Sequence, residues 1–442
     1  MLFSRRELVK IIVPLMVEQL LAITIGMADS MMVANAGETA VAGVSLVDAL
    51  NLLLIYFFTA LAGGGAVVIS QLIGKKDFEG ANSSVKQLIW VVFIVSFAIT
   101  TVALCFKRTI LSLIFGSVDK EVMDNALIYF LFTALSYPFL GLYNSGAAIF
   151  RAMGNSRVSM IASIIMNSIN VIGNAVLIFV FKMGAAGAGI ATLVSRVIGA
   201  VIIITLVHNK KNIIYAEKLW QFKPDKLLIK KICAIGIPNG MENSMFQFGK
   251  VITQSLISTF GTIQIAANAV GNAMAPLQYM PGNAVGLTMV TVIGRCVGAE
   301  EKEQAKKYAL KLLGITYLGI GTISVFICIF AKPLIGLYGL SYESSMLAYK
   351  LMIYHSVAVS TVWPTGFTLP NSFRAASDVK FTMITSITSM WIFRVGLSYV
   401  FALYMNMGVL GVWLAMFCDW TFRACVYGIR YVTGKWLDNY KG

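Results

Sequence analysis

Apolar residues run along this chain in long blocks separated by short polar breaks. Twelve blocks are long enough to cross a bilayer as helices, which takes about 20 residues. They cover 8–33, 45–73, 84–106, 122–150, 158–181, 185–207, 231–258, 264–297, 307–331, 345–373, 380–404 and 408–433. The pattern predicts an all-α, polytopic membrane protein of twelve transmembrane helices. Blocks above the minimum length predict tilt or extension beyond the bilayer. The stretch 107–116 is short, basic at its start and apolar afterwards, which suits an interfacial helix better than a span. After Arg5 and Arg6 the first block is full-length and lacks a small-residue cleavage site, so it reads as a span and not a cleaved leader.

One long polar break, 208–230, is lysine-rich and falls near the middle of the 442 residues. The chain on either side of it repeats. A shift of 224 positions lays Pro14 on Pro238, Glu18 on Glu242, Gly37 on Gly261, Ala42 on Ala266, Gly74 on Gly298 and Ala81 on Ala305. IFRAMGN at 149–155 then meets SFRAASD at 372–378 with a slip of one, and MGAAG at 183–187 meets MGVLG at 407–411 in the original register. Two six-helix lobes follow, 1–207 and 231–442, joined by a linker at 208–230. Six is even, so both lobes insert with the same orientation and are related by an axis along the membrane normal.

The formal charge of +15 becomes informative once the basic residues are sorted by side. Of 35 lysines and arginines, 25 fall in the breaks or at block ends on the side of the termini, six likewise on the other side and four deeper within spans. Cytoplasmic loops hold the excess of positive charge, so both termini are expected in the cytoplasm of a cell-membrane protein. The charge is thus a topology signal, and no nucleic-acid partner is inferred. The six cysteines form no CxxC and no metal spacing, there are two histidines, and no Walker P-loop occurs. No catalytic set can be assembled, so neither an enzyme nor ATP hydrolysis within this chain is expected.

Polar residues inside the spans carry the candidate chemistry. Glu18 and Asp29 lie in the first span, eleven residues apart and so on one side of the helix. A carboxylate at bilayer depth is costly unless it meets a partner or a watery cavity, and that marks a functional candidate. Pro14, nearly on the side of Glu18, removes a backbone hydrogen bond and can act as a hinge. Asn167, Asn170 and Asn174 form a stripe on one face of the fifth span. Thr192 and Ser195 in the sixth span, and Tyr137 and Asn144 in the fourth, add hydroxyls and another amide. These oxygens suit a hard monovalent cation, and they suit a proton relay equally. The second lobe has Trp391, Arg394 and Ser398 near the place of that stripe, and Thr253 at the place of Asp29. One coupling site, in the first lobe, is therefore expected. Glu242 and Lys250 on the seventh span could line a cavity or find structural partners; Asp419 and Arg423, at i and i+4, suit an ion pair. The glycine runs suit close helix packing, His355 suits a packed position, and no role follows for Asp48.

With these motifs in place, the chain resembles the multidrug and toxic compound extrusion (MATE) family over essentially its whole length. PLMVEQLLAITIGMADSMMV resembles that family's first helix, with Pro14 as kink and Asp29 as acid. INVIGNAVLIF resembles the fifth-helix motif with Asn170 and Asn174 in its polar positions, AAGAGIATLVS the sixth-helix motif with Thr192, and FRAMGNS the loop after helix four. The resemblance implies antiport driven by protons or Na⁺, with Asp29 as the principal carrier. Na⁺, if it is the ion, would sit at Asp29, Asn170, Asn174 and Thr192. Two departures stand out. Asn174 replaces an aspartate of some members, and 345–373 lacks the acid that others carry in the tenth helix. The latter argues against a second cation site of that type.

The expectation is a monomeric secondary antiporter without cofactors. It would export amphipathic, cationic organic compounds by alternating access between two lobes. Glu18, Glu242, Lys250 and Asn167 are cavity candidates. The alternatives are a flippase for lipid-linked saccharides, which would favour a strongly basic cavity, and a channel or non-transporting receptor, for which no filter-like loop is evident.

Overall fold

The computed structural model describes the chain except Met1, Ala36, Ser117, Val118, Trp220, Asn439, Lys441 and Gly442, and except the side chains of Met27, Ser30 and Ala34. Among the described residues there is no β-strand. The first half contains α1 (Arg5–Ala34), α2 (Glu38–Gly74), α3 (Phe78–Cys105), α4 (Lys107–Phe115), α5 (Lys120–Leu135), α6 (Tyr137–Ala152), α7 (Ser156–Asn174) and α8 (Gly184–Val207). The second contains α9 (Lys226–Ile257), α10 (Thr262–Gly298), α11 (Lys302–Gly336), α12 (Tyr342–Thr361), α13 (Pro370–Ala375), α14 (Val379–Ser389), the single turn α15 (Leu397–Tyr399) and α16 (Gly408–Val432).

Each of the twelve apolar blocks is a helix or a run of joined helices. The expected span 122–150 is the pair α5–α6, bent by 44° at Ser136, two residues before Pro138. Proline has no N–H to continue the ladder, and the Ser136 amide is shared between the Phe132 and Thr133 carbonyls instead. Among the described residues eight helices, or nine with α5–α6 as one, are long and apolar enough to cross a membrane. The blocks 231–258, 264–297 and 345–373 fall outside that group because they are more polar or broken. α9 carries Asn239, Glu242, Gln247 and Lys250; α10 carries Asn268, Gln278, Pro276 and Pro281; a π-helical turn at Pro364–Thr368 separates α12 from α13. Polar spans of this kind turn their polar groups to the bundle interior. The interfacial stretch is α4, a nine-residue helix.

The backbone repeats in the same register as the sequence. Left-handed φ values recur 224 positions apart at Gly37 and Gly261, Lys76 and Glu300, Lys182 and Asn406, and Gly184 and Gly408. The π-helical turn Ala175–Val180 that ends the fifth span recurs as Val400–Tyr404.

The chain separates into two compact units, Arg5–Gly240 and Met241–Gly442 with Met1–Ser4. In the first unit, Val47, Phe58, Leu111, Phe130, Tyr137 and Ile178 are core residues. Gly64 on α2 lies so close to the backbone of α9 that a Cβ there would stand 2.5 Å from the Gly236 nitrogen. In lipid no hydrophobic force drives helices together, so small residues that let backbones touch supply the packing. The linker is pinned to α3 by Gln87 donating to the Lys223 carbonyl and Trp90 to the Leu219 carbonyl, both at 2.8 Å. In the second unit, Leu351, Met352, Trp363, Trp413 and Trp420 form the core. His355 is buried there with edge-on contacts to Trp413 and Trp420 and a short hydrogen bond to Gln278. The segment before α1 is held by Leu2 and Phe3, whose amides donate to Gln304 and Tyr308 of α11.

Candidate functional site

In the first unit α1 packs on α7 and α7 on α8. This brings together the half-buried Asp29, Asn170, Asn174 and Thr192. Asn174 donates its amide hydrogen to Asp29 Oδ1 at 2.9 Å. The Asn170 amide also faces the carboxylate; with its nitrogen turned inward it donates to Oδ1 at 3.1 Å and to Oδ2 at 2.8 Å. The far end of that amide lies 3.4 Å from Thr192 Oγ1. Thr192 gives its own hydroxyl proton to the Ala188 carbonyl at 2.9 Å. Its lone pairs therefore stay available. Asn174 Oδ1 is buried and has no hydrogen-bond partner. A buried carbonyl oxygen without a donor is an unmet demand for a proton or a cation. One carboxylate with two amide oxygens and a hydroxyl is a ligand set for a hard monovalent ion.

Tyr137 stands in a neighbouring cluster. Its hydroxyl donates to Asn51 Oδ1 at 2.8 Å, while Asn51 Nδ2 and the Tyr129 hydroxyl donate to Asp48 Oδ1 at 3.2 and 2.9 Å. Arg196, one helical turn beyond Thr192, donates to Ser136 Oγ at 2.7 Å. The charges of Asp48 and Arg196 act on each other, and so do those of Asp48 and Asp29. Asp48, Asn51, Tyr129 and Arg196 were not assigned by sequence reasoning. The available hints were local: Asp48 and Asn51 are i and i+3, and Thr192 and Arg196 are i and i+4.

Asn167 bonds along its own helix to Ser163 Oγ at 3.1 Å and does not join the Asp29 set. Glu18, four residues past Pro14, accepts from Ser159 Oγ at 3.0 Å and pairs with Arg151 at 3.5 Å. α1 itself runs through Pro14 as one helix. The second unit holds the repeat partner of that ion pair. Glu242 Oε1 accepts from Arg374 at 2.7 Å and from Ser386 at 2.6 Å, and its Oε2 is buried without a partner. Asp419 and Arg423 pair at 2.8 Å, fully buried. Lys250 is exposed, and Thr253, in the place of Asp29, is buried.

Helical spans that repeat at a fixed shift, with a carboxylate held by two amides inside one half, suit a membrane transport protein. The MatE family model matches residues 14–176 and again 238–400, the same 224-residue shift. The chain belongs to the MatE family, the MATE transporters, which are not enzymes, need no cofactor and take small-molecule substrates within a membrane. It is 27% identical to the "Uncharacterized transporter YisQ" of Bacillus subtilis, covering 96% of this chain and 93% of that one. It is 25% identical to the "Probable multidrug resistance protein NorM" of Thermotoga maritima, covering 98% and 93%. A solved multidrug resistance MATE family transporter of the MOP superfamily, in an outward-facing conformation, shares the fold with a TM-score of 0.90 at 21% identity, covering 97% and 96%.

Proposed function

We propose that this transporter is a monomeric secondary antiporter of the cell membrane, with both termini cytoplasmic. It exports amphipathic organic compounds, by alternating access between its halves, in exchange for a proton or Na⁺. The observation that carries this reading is Asp29, set in the amides of Asn170 and Asn174 beside Thr192, with an acceptor oxygen left unused.

In the ionised state both amides donate to the carboxylate. A cation on Asp29 reverses that demand, because the ion needs oxygens where the carboxylate needs hydrogens. The two amides then turn their oxygens inward, and the contact of α1 with α7 changes. Ionised Asp29 is costly at bilayer depth, and the bound ion relieves that cost. An ion can shift the transporter only by binding its two states with different affinity, and an amide set that must rotate provides such a difference. Pro14 offers a place on α1 where the change can be taken up as a bend. The test is transport of cationic, neutral and anionic fluorescent amphiphiles by the purified protein in liposomes, with Na⁺ and proton gradients imposed separately. The reading expects one gradient alone to drive uphill movement. Equal movement with and without gradients would overturn it.

A further inference from the structure

The ionisable groups inside the two units do not balance in the same way. In the first unit Glu18 is paired with Arg151, whereas Asp48 is held by Tyr129 and Asn51 and Asp29 by amides, neither with a cation within ion-pair distance among the described residues. In the second unit Glu242 is taken by Arg374 and Asp419 by Arg423. Lys250 and Arg394 remain. Among the described residues neither has a carboxylate within ion-pair distance. The carboxylate whose charge reaches Arg394 is Asp419, already held by Arg423 at 2.8 Å.

The two cations share one place. The Arg394 guanidinium lies over the Phe246 ring at 5.2 Å. Phe246 and Lys250 are i and i+4 on α9, so Lys250 stands one turn, about 6 Å, further along the same face. The positive charge of Arg394 acts on the Lys250 ammonium. On another face of α9, Phe248 packs against Trp391 with ring centroids 6.0 Å apart. Arg394 lies in the π-helical turn Met390–Gly396, a distortion frequent at functional sites. Arg394 and Lys250 at one face of α9, neither with a carboxylate within ion-pair distance among the described residues, are a costly arrangement inside a membrane protein. An anion brought by the cargo would remove that cost, and the rings would take an apolar or aromatic body.

We propose that Lys250, Arg394 and Phe246 form an anion-recognising subsite, and that the exported compounds carry a carboxylate or sulfonate on an aromatic or apolar body. This rests on the antiporter reading and departs from the expectation of cationic cargo drawn from the sequence. The asymmetry gives each half its own charge to handle: a cation at Asp29 and an anionic group at Lys250 and Arg394.

The experiment uses a matched pair of dyes, rhodamine B with its free carboxylate and rhodamine B ethyl ester. Equilibrium binding to the detergent-solubilised full chain is measured by fluorescence anisotropy, and transport is measured in liposomes. Rhodamine B should bind about tenfold or more tightly than the ester, as expected for a charge-assisted contact. Lys250→Gln, at an exposed position, should erase most of that preference. Arg394→Gln should do the same, and Arg394→Lys should restore part of it. Equal binding of the two dyes, or a preference that survives Lys250→Gln combined with Arg394→Gln, overturns the subsite. If rhodamine B binds with the stated preference but no gradient drives it, the subsite stands and the antiporter reading falls. If the ester is driven and rhodamine B neither binds nor moves, the antiporter reading stands and the subsite falls.

Discussion

Asn174 gives its amide hydrogen to Asp29 Oδ1 at 2.9 Å while its own amide oxygen is buried without a partner. That oxygen is spare while Asp29 is ionised and becomes a ligand when an ion arrives. Asn174→Ala removes both functions. The concentration of driving cation at half-maximal transport should rise about tenfold, the equivalent of about 1.4 kcal/mol. Gradient-driven dye transport against cation concentration measures it. An unchanged half-maximal concentration would leave Asn174 as packing only.

Thr192 separates the two coupling ions. Its Oγ1 lies near the Asn170 amide, and no hydrogen bond from it to Asp29 is present. Na⁺ would use that oxygen as a ligand, whereas a proton on Asp29 would not. Thr192→Val should therefore weaken the apparent affinity for the driving cation about tenfold if that cation is Na⁺, and leave it unchanged if it is the proton. Unchanged affinity in a protein that Na⁺ drives would place Thr192 in the packing and not in the ion site.

Asp48 acts on Asp29 through its charge, and Tyr129 and Asn51 hold its carboxylate with two hydrogen bonds. A nearby negative charge favours any cation on Asp29. Asp48→Asn should lower the apparent affinity for the driving cation severalfold, with maximal transport retained. Titration of transport against that cation in the two proteins decides it; identical curves would show that Asp48 is electrically silent.

The pairs Glu18–Arg151 and Glu242–Arg374 stand four residues after Pro14 and Pro238 and fasten α1 and α9 within their own units. Breaking a buried pair leaves a charge uncompensated and costs about 3–5 kcal/mol. Glu242→Ala should lower the thermal unfolding midpoint in detergent, and Glu242→Met with Arg374→Met should regain most of the loss. Glu18→Ala should cost less, because its pair is longer, 3.5 Å against 2.7 Å. A double variant no more stable than Glu242→Ala would show that the pair is not the source.

The helical period made much of this legible. Asn170 and Asn174, four apart, had to share a face, and the structure turns that face to Asp29. The shift that lays Pro14 on Pro238 also lays left-handed backbone on left-handed backbone. What stayed hidden lies between helices. Asp48 meets Tyr129 and the field of Arg196 from helices far away in sequence, and no spacing encodes that. Tyr137 looked like a member of the Asp29 set because it is a hydroxyl at a proline bend, yet the 44° bend at Ser136 delivers it to Asn51. The three more polar spans were read correctly as helices, but Glu242 and Lys250 gave no sign of their separate fates. Glu242 is paired with Arg374 because the slipped FRA motif brings an arginine to it, as it brings Arg151 to Glu18.

The most direct test is gradient-driven dye transport by Asp29→Asn beside the wild type in liposomes, with thermal unfolding of both proteins. The asparagine keeps the shape and removes the ionisable group. The proposed antiport predicts a folded variant with an unfolding midpoint near that of the wild type and no transport under either gradient. Undiminished gradient-driven transport by that variant would contradict it.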